Sequence, residues 1–459
     1  MNLKFQLSLF SINEMPLNKQ IIKARQRAYA LPIVVIMALC ISQAPFAQRY
    51  LMDYDSTLFI RDTVRPVVKR FENLHFSGYM QPQFQVSQQE GISSFSGGNF
   101  SEFSDKRFML RRARIKIDYV LAAKNNSFPQ ALFTFQFEAT ERDVNVRDVF
   151  VRLYEPKKKN FSLSMGLFAR PFGYEVNLSS SYRESPERGR ASQILMPSER
   201  DLGAMLSFEL QKTVRKNPQL KFDIGLFNGQ GKSGPTDFDS YKDLISRLNL
   251  KPISLGKNFF ISSGLSLLNG GWIQPTRYKY EIEQQNGNKI FTVDSNINNL
   301  GSKAPRKYYG ADIQLVYEHG WGKTEIRSEY WRGKQPGTAT TTLNPGALPN
   351  EPTYIRNFDA AFFYFLQNII NTKWELMAKY DWYDPNIKVQ KSEIGKPGTN
   401  LTAADVRYNT FGFGMTRYFT GNFKMLAYYD IVRNQKTSLS NLTGDVKDNV
   451  FTFRMQLRF

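Results

Sequence analysis

Three cations spaced two apart, Arg112, Arg114 and Lys116, are the residues of this chain best placed to do chemistry. On a β-strand, side chains two apart share a face and stand about 6.6 Å from each other. The intervening Ala113, Ile115, Ile117 and Tyr119 are apolar, and Asp118 closes the charged row. Such a strand is apolar on one side and carries a ladder of positive charge on the other. The chemistry of the ladder is the binding and release of anions. Arginine offers a planar fork that donates two parallel hydrogen bonds to an oxyanion, whereas lysine acts as a point charge. The spacing is shorter than the Debye length of about 8 Å in physiological salt, so an anion leaving one cation already feels the next. Rings or ladders of this kind select anions where binding is weak enough to release them.

A soluble core has no use for three stacked cations, but the wall of a water-filled barrel in lipid does. Turned toward lipid, each would cost roughly 2–4 kcal/mol at the midplane, so the cations are expected inward and Ile and Ala outward. Arg111 falls on the apolar parity. It is expected at the external end of its strand, snorkelling to the interface. Asp118, Glu138, Asp143 and Asp148 stand ready to neutralise the ladder. In that case Arg112, Arg114 and Lys116 serve the wall rather than a solute.

The rest of the chain repeats the alternation. Phe133, Phe135 and Phe137 oppose Thr134, Gln136 and Glu138, and the last nine residues oppose Phe451, Phe453, Met455, Leu457 and Phe459 to Thr452, Arg454, Gln456 and Arg458. Strands are expected over 76–86, the ladder segment, 131–140, 146–154, 161–170, 202–210, 219–228, 243–252, 258–268, 307–318, 323–333, 358–369, 373–383, 407–418, 423–433 and 449–459. The fold class is therefore all-β, an antiparallel transmembrane barrel of about 16 strands. Its long connections (88–105, 172–200, 269–306, 334–357, 384–406) alternate with short turns, as external loops and periplasmic turns do. Aromatics make up 14% of the chain, which fits two interfacial girdles.

The N-terminus reads as a leader. Lys19, Lys23, Arg25 and Arg27 precede an apolar run over 28–41 and small residues ending at Ala47. That is the order of a secretory signal peptide, with cleavage after Ala44 or Ala47, and Met15 is an alternative start. The expected organisation is a signal peptide over 1–47, a short periplasmic segment over 48–75 and the barrel over 76–459. Cys40, the single cysteine, lies in the leader behind Leu39, which is a poor fit to a lipoprotein site. The net charge is +20, and removing 1–47 leaves +16. A field of this sign attracts anions, and export excludes nucleic acid as the partner.

Four segments in order carry a family resemblance. They are the ladder strand, Gly166-Leu-Phe-Ala-Arg-Pro-Phe-Gly-Tyr-Glu175, Pro186-Glu-Arg188 and Ser198-Glu-Arg-Asp-Leu-Gly203. Together they resemble the phosphate-selective porin O and P family of Gram-negative outer membranes, from about Phe76 to Phe459 and most densely over 106–210. The resemblance implies a 16-stranded barrel, usually a homotrimer, passing small anions such as phosphate or polyphosphate by passive diffusion. It also implies an inward-folded third external loop. Arg112, Arg114 and Lys116 match the family's basic strand, and residues 173–200 match its constriction loop. The loop and its flanks offer Arg170, Arg183, Arg188, Arg190 and Arg200 as constriction candidates, among Glu184, Glu187, Glu199 and Asp201. Arg170 either lines the mouth or caps its strand. The lysines that the family's most phosphate-selective members place at the narrowest point have no locatable counterpart in this sequence.

Other classes are disfavoured by what the chain offers. His75 and His319 are the only histidines and belong to no triad. Both are expected near the periplasmic side, His75 before the first strand and His319 in a tight turn. No cluster has metal spacing and no glycine-rich phosphate loop opens a helix, so neither enzyme chemistry nor a cofactor is expected. The stretch before Phe76 is too short for a plug. A non-selective porin or a non-transporting adhesin barrel stays open as an alternative.

Overall fold

The computed structural model describes residues 73–122, 129–156, 160–210, 220–232, 234 and 236–459. The leader expected over 1–47 and nearly all of the segment 48–75 lie outside them.

Eighteen strands form one sheet: β1 (Leu74–Ser87), β2 (Lys106–Ala122), β3 (Pro129–Ala139), β4 (Val144–Tyr154), β5 (Phe161–Ala169), β6 (Arg200–Glu209), β7 (Leu220–Phe227), β8 (Asp243–Ser254), β9 (Phe259–Ile273), β10 (Lys279–Gln285), β11 (Asn288–Asp294), β12 (Lys303–His319), β13 (Gly322–Gly337), β14 (Thr353–Ile369), β15 (Asn371–Asp384), β16 (Tyr408–Tyr418), β17 (Phe423–Asn434) and β18 (Val450–Arg458). Sixteen of them close into an antiparallel barrel, one for each strand expected from the sequence. Closure is direct, because Met80 of β1 stands opposite Ala113 on one side and Leu457 on the other. Closing the sheet leaves no edge to pair with a neighbour, which lipid requires. β10 and β11 form a separate hairpin inside the connection between β9 and β12. Its turn, Asn286 and Gly287, has positive φ at both residues, the conformation that an Asn-Gly pair supplies. His75 is a second departure from expectation: it lies within β1, opposite Asp118.

The burial pattern is inverted relative to a soluble sheet. Ile115 is 49% exposed, whereas Arg114, its neighbour, is 4% exposed. The apolar side chains form the outer surface and the charged ones face the interior. Ile115→Arg would place a cation in the apolar band, with an expected cost of about 2–4 kcal/mol near the midplane. A urea titration of folding into lipid vesicles measures it.

At one end the connections 255–258, 320–321 and 419–422 are short; at the other, 88–105, 170–199, 228–242, 274–302, 338–352, 385–407 and 435–449 are long, with 140–143 the exception. By that asymmetry the long-loop end is external. The third of these external loops, 170–199, folds inward and carries the short helix α1 (Arg190–Leu195). Its apolar residues Phe172, Val176, Leu195 and Met196 pack in one cluster with Trp331, Phe358 and Phe362 on the inner face of β13 and β14. Phe172 meets the Trp331 ring edge-on at 5.0 Å. The far wall of the lumen is thus filled by the loop, which leaves its polar side turned toward the wall of β1–β6.

Candidate functional site

The ladder residues face the interior, and each has a carboxylate partner. Arg112 donates to Glu187 of the third loop, Nη2 to Oε2 at 2.6 Å. Arg114 donates through Nε to Glu138 at 2.9 Å, and also to Ser180 at 2.9 Å and to Tyr79. Lys116 is 2.7 Å from Asp118. Asp118 also accepts from Thr134 at 2.6 Å. Of the four acids available to neutralise the ladder, Asp118 and Glu138 do so directly. Asp148 pairs with Arg200 at 2.9 Å instead, and Asp143 accepts from Thr140 in the exposed turn.

Arg111 corrects the strict-alternation reading. The β1–β2 register steps from Gln81↔Arg112 to Pro82↔Leu110, so Arg111 is the extra residue of a β-bulge. Pro82 has no N–H to give the ladder, and a bulge is where a sheet accommodates that. The bulge turns Arg111 inward, not to the interface, and its Nε lies 2.8 Å from Glu187. It also restores the outward parity of Phe108, which is fully on the lipid side.

A second bulge does the same on β4. The β3–β4 register runs from Gln136↔Asp148 to Phe137↔Val146, leaving Arg147 over. The adjacent Arg147 and Asp148 are consequently both buried inside. Arg147 lies 3.4 Å from Glu138 and 3.4 Å from Glu199. Sequence reasoning missed Arg147, yet a signal was present. Two neighbouring charges in an alternating strand force one of them into lipid unless a bulge intervenes.

The loop candidates separate into groups. Arg170 and its Asp201 partner, 3.9 Å apart, are both buried, and Arg170 donates to the Ser198 carbonyl, so it caps the strand end. Arg188 donates to the carbonyls of Ser192 and Met196 and lies 3.6 Å from Glu199. Arg183 is buried, and its Nε and Nη1 meet no acceptor among the described residues. Arg190 lies between the Phe95 and Tyr408 rings, 3.9 Å from Asp448. Arg200 keeps 17% of its side chain exposed, Lys116 24% and Lys232 23%. These three partly accessible cations sit on the β2–β6 side, away from the packed face of the loop.

Three carboxylates bolt the loop across the lumen. Glu187 takes Arg111, Arg112 and, at 3.0 Å, Arg454 of β18. Glu184 takes Arg327 of β13 in a two-pronged contact of 2.7 and 3.0 Å. Glu175 accepts from Tyr364 of β14 at 2.7 Å. On the β1–β6 side, Glu187, Glu138, Glu199 and Asp148 are joined by ion pairs to Arg111, Arg112, Arg114, Arg147, Arg188, Arg200, Lys232 and Arg454. Among the described residues, eight cations against four carboxylates leave this connected network with an excess of four positive charges.

A closed sixteen-stranded barrel, apolar outside, charged inside and holding a long loop in its lumen, has the architecture of a porin-type barrel. Among solved structures it is similar to OprB of Pseudomonas putida, at a TM-score of 0.52 and 8% identity over 84% of this chain and 94% of that one. It is also similar to the outer-membrane channel DcaP of Acinetobacter baumannii, at 0.50 and 10% over 84% and 97%. At such identities the likeness is one of fold. No protein-family model and no curated protein sequence matches the chain.

Proposed function

We propose that this chain is an outer-membrane porin through which small anions diffuse passively, past the partly open cations Lys116, Arg200 and Lys232 of the lumen. The observation that carries the reading is the excess of four positive charges in the linked network on that wall, with Arg200, Lys116 and Lys232 partly open to solvent. Arg112 and Arg114 contribute to that excess, and the accessible cations, Lys116 among them, offer successive weak sites, as conduction requires. Phosphate is one of the oxyanions that arginine forks bind with two parallel hydrogen bonds, and the resemblance to phosphate-selective porins points the same way. In this reading the leader over 1–47 directs export, residues 48–75 stay periplasmic, and the barrel forms a homotrimer. The outward residues of β4–β8 remain apolar up to their external ends, at Val144, Leu202, Leu226 and Leu244, which is the kind of wall a neighbouring protomer covers.

The reading is tested in planar bilayers. In a potassium chloride gradient the reversal potential should take the sign of chloride preference, and phosphate should block the chloride current. Cation preference, or the absence of ohmic channels, would overturn it.

A pH dependence follows from the external end. A narrow crevice between the first, third and eighth external loops is lined by Arg190, Arg188, Asp381, Asp430 and Asp448. Burial pushes the Asp448 carboxyl up to about 6, against the pull of Arg190. Below that pH it is neutral and Arg190 loses its ion-pair partner; above it the carboxylate cancels one positive charge. Anion preference should fall as pH rises from about 5 to 7. Asp448→Asn should hold the low-pH value throughout, and an unchanged titration in that variant would assign the effect elsewhere.

A further inference from the structure

The outer face of the barrel carries a charge pattern that the lumen does not explain. β12 and β13 pair so that Lys307 stands directly opposite Lys334, and Tyr309 opposite Arg332. All four are exposed, while their strand neighbours Tyr308, Trp331 and Gln335 are buried toward the lumen. Directly opposed side chains of an antiparallel pair are about 5 Å apart at Cβ, and like charges there repel. Arg332 follows on the same face of β13, about 6.6 Å from Lys334. Among the described residues, none of the three cations forms an ion pair. The one acid in register, Asp359, lies opposite Arg332 on β14 and accepts a hydrogen bond from Trp382 at 3.0 Å.

The position of the cluster narrows what it meets. β12 begins at Lys303 and β13 ends at Gly337, both at the long-loop end. Tyr309 and Tyr330, just below, are exposed aromatics of the kind that sits at headgroup level. Below them Ile313 and Ile326 offer apolar surface. At the external ends of β6 and β7 the outward Leu202 and Leu226 are apolar, and the outward Lys106 of β2 is already paired with Asp105 at 3.2 Å. An unneutralised cross-strand lysine pair at headgroup height, above a ladder of aromatic and aliphatic side chains, is complementary to one kind of molecule. That molecule carries a phosphate at its head and acyl chains beneath.

We propose that the outer face of β12–β13 binds the phosphate of an outer-leaflet lipid, with Lys307 and Lys334 on either side of it and Arg332 as a third contact. The lipid is chosen over free phosphate because the apolar residues continue the surface downward. The proposal depends on the barrel's place in the membrane and not on what passes through its lumen.

Native mass spectrometry of the full-length protein, with lipid A and dephosphorylated lipid A as probes, tests it. Lipid A should be retained and its dephosphorylated form should not. Lys307→Gln with Lys334→Gln should weaken lipid A binding about thirtyfold, at about 1 kcal/mol for each cation near an anionic surface. Lys307→Arg with Lys334→Arg should retain it. Because the glutamines remove a like-charge pair, the variant should melt no lower than the parent in lipid-free detergent, which separates lost binding from lost folding. Equal retention of the two lipids, unchanged binding in the double glutamine variant, or displacement of lipid A by equimolar inorganic phosphate would each overturn the proposal.

Discussion

A chain carrying Arg112→Glu together with Arg114→Glu is expected to lose its anion preference in a salt gradient. The two substitutions remove two cations from the network on the β1–β6 wall and add two carboxylates, so its excess of four positive charges falls to none. At an effective dielectric constant of 20, a unit charge about 10 Å from a passing ion is worth about 1.7 kcal/mol. Four units of change therefore exceed a tenfold shift in permeability ratio, even after substantial screening. The reversal potential measures it directly. The neutral pair Arg112→Gln with Arg114→Gln should fall midway, because it changes the charge by two rather than four. If both variants keep the parent's reversal potential, Arg112 and Arg114 belong to the wall and Arg200, Lys232 and Lys116 carry any selectivity.

The sixteen barrel strands were legible because lipid and lumen impose opposite chemistry on alternate residues, and that period of two survives in the sequence from Leu74 to Arg458. It fails where the backbone breaks the period. Arg111 and Arg147 each sit in a bulge that adds one residue, so counting parity sends them to lipid while the structure sends them to the lumen. Pro82 was the visible cause of the first. The external hairpin β10–β11 was also announced, by Asn286-Gly287, but lay hidden in what reads as one long loop. The inward packing of the third loop left a subtler trace. Over 358–366, β14 is apolar on both faces, with Phe358, Phe362 and Leu366 buried and Phe363 and Phe365 exposed. A strand apolar on both sides has apolar material on both sides, and inside a barrel that material must come from a loop. The partners of Glu187 were beyond any local pattern, since Arg454 reaches it across 267 residues of chain.

Those partners make Glu187→Gln the substitution with the widest consequences. Glu187 is buried and shared by Arg111, Arg112 and Arg454, two of them from β2 and one from β18 across the barrel seam. The amide keeps the shape and one acceptor but removes the charge that three guanidiniums surround. Removing one partner of a buried pair costs about 3–5 kcal/mol, because the remaining charge is left uncompensated. Two outlets relieve that cost, and they leave different signatures. If the arginines recruit anions from the passage, the charge excess on this wall rises from four to five. Anion preference then increases, with conductance and noise near the parent's. If the loop lets go instead, its apolar face still holds Phe172 and Leu195 against β13 and β14, while its β1–β6 side swings free. Open-channel noise and conductance then rise together. Glu184→Gln provides the internal comparison, because it releases the same loop from Arg327 on the opposite wall without touching the basic network. An increase in anion preference in Glu187→Gln but not in Glu184→Gln locates the selecting field on the β1–β6 wall. An equal change in both would mean that the third loop acts as a steric element alone and that the arginines around Glu187 serve only to hold it.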